Sequence, residues 1–152
     1  MRLSRHDAWR AALVIRLGMI VMDNKMTLLR RHRLWLTLGW AWIAFVVYLS
    51  LSPRPPEIHM LSGDKIGHIA AYTFLMLWFV QLYQSRSVKF AIALGLVGLG
   101  IAIEFAQEQF GYRTFEVADM WADAMGVALG LLLGRTPLAT VLRRVEQRIL
   151  AS

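Results

Sequence analysis

Residues 88–105 read VKFAIALGLVGLGIAIEF, a run that is apolar apart from one charge near each end. A helix of about 18 such residues is long enough to cross the hydrocarbon core of a bilayer. Three further blocks of similar length and composition lie at 34–51, 66–83 and 117–134. Hydrophobic residues make up 57% of the chain and charged residues only 18%, and the apolar excess is confined to these blocks. We therefore predict an all-α fold, a polytopic membrane bundle of four transmembrane helices.

The segments that flank these blocks divide the chain into three parts, of which residues 34–134 are the transmembrane domain. Residues 1–33 are basic, and their apolar stretch at 11–22 is too short to span a bilayer, which favours an amphipathic helix in the interface. An alternative is that residues 1–25 do not belong to the native protein, because Met26 opens a segment typical of a protein start.

The tail, residues 135–152, combines an apolar stripe with a basic face at helical spacing. The stripe consists of Leu138, Val141, Leu142, Val145 and Ile149, and the opposite face carries Arg143, Arg144 and Arg148. We predict a second amphipathic helix, which lies on the inner membrane surface because anionic lipids attract its arginines.

Positive charge is distributed unequally between the two sides of the predicted bundle. Of the 17 Lys and Arg residues, only Arg54, Lys65 and Arg113 fall in the loops at 52–65 and 107–116. The positive-inside rule places the other, basic side in the cytoplasm. The sequence therefore predicts a multi-pass protein of the bacterial cytoplasmic (inner) membrane, with both termini cytoplasmic and these two loops outside.

Composition and charge limit the kinds of molecule that the chain is expected to bind. The net charge of +7 does not indicate nucleic-acid binding, because the basic residues flank apolar spans and form no stripe interleaved with aromatic residues. The chain has no cysteine, which excludes disulfides and thiolate metal sites, and no cofactor is predicted. The expected partners are membrane lipids, a lipid-linked or anionic envelope ligand, and a second copy of the chain in a homo-oligomer.

Most of the acidic residues cluster at the outer ends of the predicted spans, where an unpaired ionised group is costly. The polar residues that share helical faces there are Asp64, His68 and Tyr72 on the second span, Glu104, Gln107 and Glu108 on the third, and Asp119 and Asp123 on the fourth. Lys65 and Arg113 supply positive charge at the same depth. Spacings of three and four residues place each set on one helical face, so the sequence predicts one polar site shared by three helix ends.

Small side chains repeat on two of the spans. The fourth span carries Ala118, Ala122, Gly126, Gly130 and Gly134, and the third carries Ala91, Gly95, Gly98 and Ala102. Small residues at such spacing allow backbones to approach closely in lipid. We therefore predict that the third and fourth spans form a close hairpin.

Two motifs in the polar region resemble the signatures of VanZ-like membrane proteins. The segment Asp64-Lys65-x-x-His68-x-x-x-Tyr72 resembles the first signature, Asp-Lys-x-x-His-x-x-x-Tyr. The second, Glu-x-x-Gln, Arg, Asp-x-x-x-(Asn or Asp)-x-x-Gly, is matched by Glu104, Gln107, Arg113, Asp119, Asp123 and Gly126. Asp123 stands where Asn is frequent, which adds an ionisable group.

The resemblance covers roughly residues 34–134 and implies an integral membrane protein of the cell envelope. The family's founding member is associated with resistance to a glycopeptide antibiotic. The resemblance carries over no reaction, and no feature of this sequence by itself indicates antibiotic resistance.

Three functions remain open for the polar site. In the first, the charged residues form a buried ion-pair and hydrogen-bond network in a non-enzymatic envelope protein. In the second, a membrane enzyme acts on a lipid-linked or envelope substrate, with His68 as general acid or base and with a pKa tuned by Asp64 and Glu104. In the third, the chain is a small transporter or ligand-binding module that works as an oligomer.

The second hypothesis assigns a role to each polar residue. The catalytic group would be His68, Asp64 and Glu104, and the ligand-binding residues would be Lys65, Tyr72, Gln107, Arg113, Asp119 and Asp123. A metal variant of the enzyme would use His68 with the neighbouring carboxylates to hold Mg or Mn, because hard oxygen ligands suit those ions.

Overall fold

A computed structural model describes residues 29–52, 64–110 and 116–151, and every regular element in these ranges is helical. The elements are α1 (His32–Ser50), α2 (Asp64–Leu82), α3 (Arg86–Phe110), α4 (Val117–Leu133), a 3-10 turn (Pro137–Thr140) and α5 (Val141–Ala151). The all-α prediction is confirmed over this part of the chain, and so is a helix in the C-terminal tail. The amphipathic helix predicted at 11–22 lies outside the described residues.

The third helix is longer than the sequence predicted. It runs for 25 residues, Arg86–Phe110, whereas the predicted block was 88–105, and the connection between α2 and α3 is residues 83–85. Its first turn is closed by the amide of Lys89, which donates to the carbonyl of Ser85 at 3.1 Å. At the other end the helix continues through Glu104 and Gln107 because both are good helix formers. Two predicted site residues therefore lie on a rigid helix and not at the edge of a loop.

Three of the described helices are long and apolar enough to cross a membrane: His32–Ser50, Lys65–Leu82 and Arg86–Phe110. A fourth span results if Val117–Leu133 is counted together with Pro137–Ala151, to which it is joined at a bend of 75°. Length and composition are thus those of a helical membrane protein.

The first four helices alternate in direction, which gives the bundle two ends. At one end the indole N–H of Trp78 donates to the carbonyl of Trp35 at 3.0 Å, which places the end of α2 beside the start of α1. At the other, the side chain of Gln107 donates to the carbonyl of Ser50 at 2.8 Å, which joins α3 to the end of α1. We call the end with Ser50, Lys65 and Glu116 the site end, and the end with the turn at 83–85 and α5 the basic end.

The glycines of α4 pack against α2 and not, as the sequence had predicted, against the third span, although α3 and α4 are also in contact. A methyl group added at Gly126 would lie 2.6 Å from the carbonyl oxygen of Ile69, and one added at Gly130 would lie 2.8 Å from that of Thr73, both on α2. The hydroxyl of Thr73 also donates to the carbonyl of Gly126 at 3.1 Å. On α3, Gly95 and Gly98 have nothing within 4 Å of such a group, so α2 and α4 form the closest pair and lie parallel.

The burial pattern of this fold differs from that of a water-soluble bundle: many large apolar side chains are exposed, and several polar ones are buried. Leu75 and Met76 of α2 are fully buried, because α2 is the central helix and contacts α1, α3 and α4. Large apolar side chains that face outward on the other helices include Trp40, Tyr48, Phe90, Phe105 and Trp121. Several polar side chains are instead buried, and four of them, Glu104, Gln107, Asp119 and Asp123, lie near the site end. A lipid surrounding accounts for both observations.

Candidate polar site at the ends of three helices

The polar site is built from the first turns of α2 and α4 and the last turns of α3. His68 and Tyr72 lie one turn apart on α2, and Asp119 and Asp123 lie one turn apart on α4. Because α2 and α4 are parallel and in close contact, these two pairs meet at the same depth. Glu104 and Gln107 of α3 are buried at the same end.

His68 and Asp123 form the shortest ionisable pair of the site. The Nδ1 atom of His68 lies 2.9 Å from Oδ1 of Asp123, and only 13% of the histidine side chain and 3% of the aspartate side chain are exposed. Nε2 of His68 faces Oδ2 of Asp119 at 3.8 Å, which is longer than a hydrogen bond. Asp123 therefore fixes the orientation of the imidazole ring, as carboxylates bonded to Nδ1 of histidine do in catalytic and structural sites.

Gly100 of α3 makes room for Asp123 and Tyr72. A methyl group added at Gly100 would clash with Oδ2 of Asp123 and would lie 3.1 Å from the hydroxyl oxygen of Tyr72. These two oxygen atoms therefore share one small space against the backbone of α3. A side chain larger than glycine at position 100 would displace them, so Gly100 is part of the site although it carries no functional group.

Lys65 lies at the solvent-exposed edge of the site. Its ammonium lies 3.0 Å from Oε2 of Glu116 and 3.6 Å from Oδ1 of Asp119. Lys65 and Glu116 are about half exposed, whereas Asp119 is buried. Lys65 thus connects a solvent-facing acid with a buried one.

Glu104 and Gln107 join helix ends to one another. The carboxylate of Glu104 accepts a hydrogen bond from the backbone N–H of Glu116 at 3.0 Å, just before α4 begins, so α3 supplies a cap for the first turn of α4. Gln107 donates to Ser50 at the last residue of α1. In the described structure both side chains hold helices in place.

Two buried oxygen atoms in the site have no hydrogen-bond partner among the residues that the structure describes. They are the hydroxyl of Tyr72 and Oδ1 of Asp119. Buried polar atoms are normally paired, and each exception calls for an explanation such as strain, a functional role, or a water or ion. Within the described ranges the hydrogen-bond network of the site is therefore not saturated.

Carboxylates outnumber cations in the described part of the site. Glu104, Glu116, Asp119 and Asp123 contribute four acidic groups. The basic groups are the ammonium of Lys65 and the imidazole of His68. An anionic ligand would meet repulsion from this set, and its binding would depend on further positive charge.

Two predicted site residues cannot be placed. Asp64 is the first residue of α2, but its side chain lies outside the described part of the chain, as does the whole of Arg113. Within the described ranges, no group of three or more His, Asp and Glu side chains has an arrangement that could hold a metal ion.

The sequence hypotheses did not assign Glu116 or Gly100 to the site. The position of Glu116 directly before an apolar run indicates a helix start, where an acid is favourable. Gly100 gave no such signal, because a lone glycine in an apolar span resembles its neighbours Gly95 and Gly98.

These features define a class of protein: an all-helical chain with helices suited to a membrane and a buried cluster of polar side chains at one end of the bundle. The chain belongs to the VanZ/LLP1 family, whose sequence profile matches residues 21–140. The match includes α1 to α4 and both polar motifs, and it confirms the resemblance found in those motifs.

An uncharacterised protein of Schizosaccharomyces pombe is 33% identical to the chain over 95 residues. The alignment spans 59% of this chain and 59% of the yeast protein, so the chain matches about three fifths of that relative. No solved structure matches the chain.

Proposed function

We propose that this chain is an integral membrane protein of the cell envelope in which α1 to α4 cross the membrane. The site end faces outward, and both termini lie in the cytoplasm. The buried polar residues form a network that locks the outer ends of α2, α3 and α4 together. The observation that carries this proposal is the contact of 2.9 Å between the partly buried His68 and the buried Asp123, which lie on different helices.

The membrane and its orientation follow from hydropathy and charge. Three or four of the described helical segments are long enough to span, and only three of the 17 Lys and Arg residues fall in the sequence segments 52–65 and 107–116, which connect helices at the site end. We propose the cytoplasmic membrane of a bacterium as the location. Because a relative occurs in a yeast, this assignment rests on charge asymmetry and composition and not on family membership.

Cysteine accessibility tests the orientation, since the chain contains no native cysteine. Glu108 is exposed at the site end and Gln147 is exposed at the basic end. In intact cells a membrane-impermeant maleimide should label E108C, whereas Q147C should react only after the membrane is permeabilised. The reverse pattern would overturn the proposed topology.

The network is favourable because each buried acid is held by a partner on another helix. Breaking a buried ion pair from one side costs about 3–5 kcal/mol, since it leaves the other charge unpaired. Removing both partners costs less, because no charge is left alone. Through Glu104, Asp119 and Asp123, the packing of α3 on α2 and the packing of α4 on α2 depend on each other.

A double-mutant cycle tests this interpretation. We expect H68A and D123A each to lower membrane accumulation and thermal stability in detergent, and the double variant to be less destabilised than the sum of the two. E108A is the matched control, because Glu108 is an exposed acid one turn beyond Glu104. Additive effects, or equal loss in E108A, would exclude a network held by the His68–Asp123 pair.

A second candidate function is favoured by the two buried oxygen atoms that accept no hydrogen bond from a described residue. A purely structural network would be expected to satisfy the hydroxyl of Tyr72 and Oδ1 of Asp119. In an enzyme acting on a lipid-linked or envelope substrate, these atoms would bind the substrate or a water molecule. His68, oriented by Asp123, would take a proton from the attacking hydroxyl or water and return it to the leaving group.

Conservative variants separate the two candidates. Y72F removes only the hydroxyl, which shares its space with Oδ2 of Asp123, so it should lower accumulation and thermal stability much less than H68A under both. If the site is catalytic or ligand-binding, Y72F and H68Q should accumulate normally and fail to complement the envelope-stress phenotype of a deletion strain. If the site is structural, Y72F should complement fully.

A further inference from the structure

A cavity of about 200 Å³ lies at the basic end, away from the polar site. The last turn of α2, the first turn of α3 and the connection from α4 to α5 enclose it. Its polar lining includes Gln81, Gln84, Lys89, Thr140 and Arg143. The volume is below the range of about 300–1,000 Å³ typical of pockets for drug-sized ligands, so the cavity suits a small group.

Both charged residues that line the cavity are positive. Lys89 and Arg143 are partly buried, and no acidic residue is among the lining residues that the structure describes. Neither of the two cations makes an ion pair with any described residue. Two partly desolvated cations without a counter-ion create a site for an anion.

The acidic residue nearest to Arg143 in the sequence, Glu146, forms its hydrogen bonds with other residues. Glu146 follows Arg143 by three residues on α5, a spacing at which acids and bases often pair. Its carboxylate instead accepts hydrogen bonds from the backbone N–H groups of Arg30 and Arg31, both at 2.6 Å, and from the indole of Trp35 at 3.2 Å. Glu146 therefore caps the start of α1 and leaves Arg143 uncompensated.

The cavity wall is fixed in place at two points. Besides the contacts of Glu146, the side chain of Gln81 accepts a hydrogen bond from the backbone N–H of Leu142 at 3.0 Å and donates to the carbonyl of Leu77 at 3.1 Å. These bonds attach the first turn of α5 to α2. The backbone that carries Arg143, which lines the cavity together with Lys89, is thus held in place before any ligand binds.

We propose that this cavity binds the headgroup phosphate of an anionic phospholipid, with Lys89 and Arg143 as its ligands. A phosphate group supplies the negative charge and the acceptor oxygens that both side chains require. The lipid is the favoured source, because large apolar side chains next in sequence to the lining residues Lys89, Ala139 and Thr140 are exposed: Phe90 at 63%, Leu138 at 44% and Val141 at 39%. Acyl chains attached to the bound phosphate would cover them.

The test compares paired variants of the purified full-length protein in detergent. Binding of dioleoylphosphatidylglycerol is measured by native mass spectrometry and by the shift in melting temperature, with dioleoylphosphatidylcholine and inorganic phosphate as parallel arms. The double variant K89Q/R143Q removes both ligands. The matched control, R86Q/R144Q, removes the same charge from exposed neighbours on the same two helices.

We expect K89Q/R143Q to bind phosphatidylglycerol about 30-fold more weakly, since each cation near an anionic headgroup contributes roughly a fivefold change in affinity. R86Q/R144Q should bind nearly as well as the unmodified protein, and K89R/R143K, which keeps both charges, should retain binding. Gel filtration verifies that each variant is folded.

Several results would overturn the proposal. Equal weakening in R86Q/R144Q would show a diffuse charge effect and no site. A full shift with inorganic phosphate alone would exclude the lipid as the source, and equal binding of phosphatidylcholine would exclude selection by charge. Because the cavity lies at the opposite end from His68, failure here leaves the proposed function of the polar site untouched.

Discussion

The two ends of the bundle bury acidic groups in different ways. At the site end, Asp119 and Asp123 face side chains that can gain or lose a proton, namely His68 and Lys65. At the basic end, Glu146 is held by two backbone N–H groups and one indole. One set of partners is titratable and flexible, and the other is fixed by the fold.

This difference separates a structural contact from a reactive one. Three donors satisfy the carboxylate of Glu146, which acts as a helix cap across more than a hundred residues of sequence. At the site end two buried oxygen atoms have no hydrogen bond to a described residue. The basic end therefore holds α5 against α1, whereas the site end combines cohesion between helices with capacity for a ligand or water.

The largest expected effect comes from separating α2 from α4, which would disrupt both ends together. A methyl group at Gly126 or Gly130 would clash with the backbone of α2, and such overpacking typically costs about 1–3 kcal/mol per position. We expect G126A/G130A to be destabilised by more than about 3 kcal/mol and to accumulate poorly in membranes, as measured by immunoblot.

The matched control for that variant is G95A/G98A on α3, where an added methyl group has nothing within 4 Å. This control should accumulate at least as well as the unmodified protein, because alanine favours the helix. Equal loss in both double variants would contradict the assignment of α2 as the partner of the glycine ridge.

The next largest effect is expected at the basic end alone. E146A removes three hydrogen bonds to a buried charged group and is expected to cost about 3 kcal/mol. The loss should be local: α5 should become sensitive to protease in reconstituted vesicles, while the rest of the bundle stays protected. Q147A is the control, because Gln147 is exposed on the same helix. Protection of α5 that is equal in E146A and Q147A would show that the cap does not hold the helix.

The same contact has a predictable pH dependence. Burial by itself would raise the pKa of the Glu146 carboxyl, but the N–H groups of Arg31 and Arg30 outweigh it and hold the pKa below its ordinary value of 4.5. A lowered pKa means that the contribution is present above pH 4.5 and is lost as the pH falls through the folded-state value. Protection of α5 should therefore fall in that acidic range, and this dependence should be absent in E146Q.

The sequence predicted the helices well and their packing poorly. The apolar blocks located α1 to α4 because a bilayer span has a fixed length. The small-residue ridge with Gly126 and Gly130 showed that α4 packs closely, but it could not identify the partner, since the facing surface of α2 has no matching ridge. Neighbours in the chain were the natural guess, and the closest pair skips one helix.

The sequence likewise predicted only part of the polar contacts. Spacing placed His68 with Tyr72 and Asp119 with Asp123, and the structure brings these pairs together. The contact of Glu146 with residues 30 and 31 was missed, because a lone acid in a basic amphipathic helix reads as a solvated partner of its neighbours. Contacts between residues so distant in sequence depend on the tertiary fold, which helical periodicity does not encode.

A smaller effect is expected when one glutamine is replaced by alanine at each end. Gln107 is buried and donates to the last residue of α1, whereas Gln81 is partly buried and caps the start of α5. We expect Q107A to cost about 1–2 kcal/mol because it leaves the partly buried carbonyl of Ser50 without its donor. Q81A should cost about 1 kcal/mol or less, the usual value for a lost helix cap. Melting temperatures in detergent give the ranking, and a larger effect for Q81A than for Q107A would contradict it.

The smallest expected effect on stability is at Lys65. Its side chain is 51% exposed and bridges Glu116 and Asp119, and exposed ion pairs contribute about 0–1 kcal/mol. K65A should therefore melt within a few degrees of the unmodified protein and accumulate normally. If the site end binds a ligand, K65A should still reduce complementation of the envelope-stress phenotype, because it removes a positive charge at the entrance. Full complementation by K65A and Y72F together would favour the structural function, and the two ends of the bundle would then differ in chemistry but not in role.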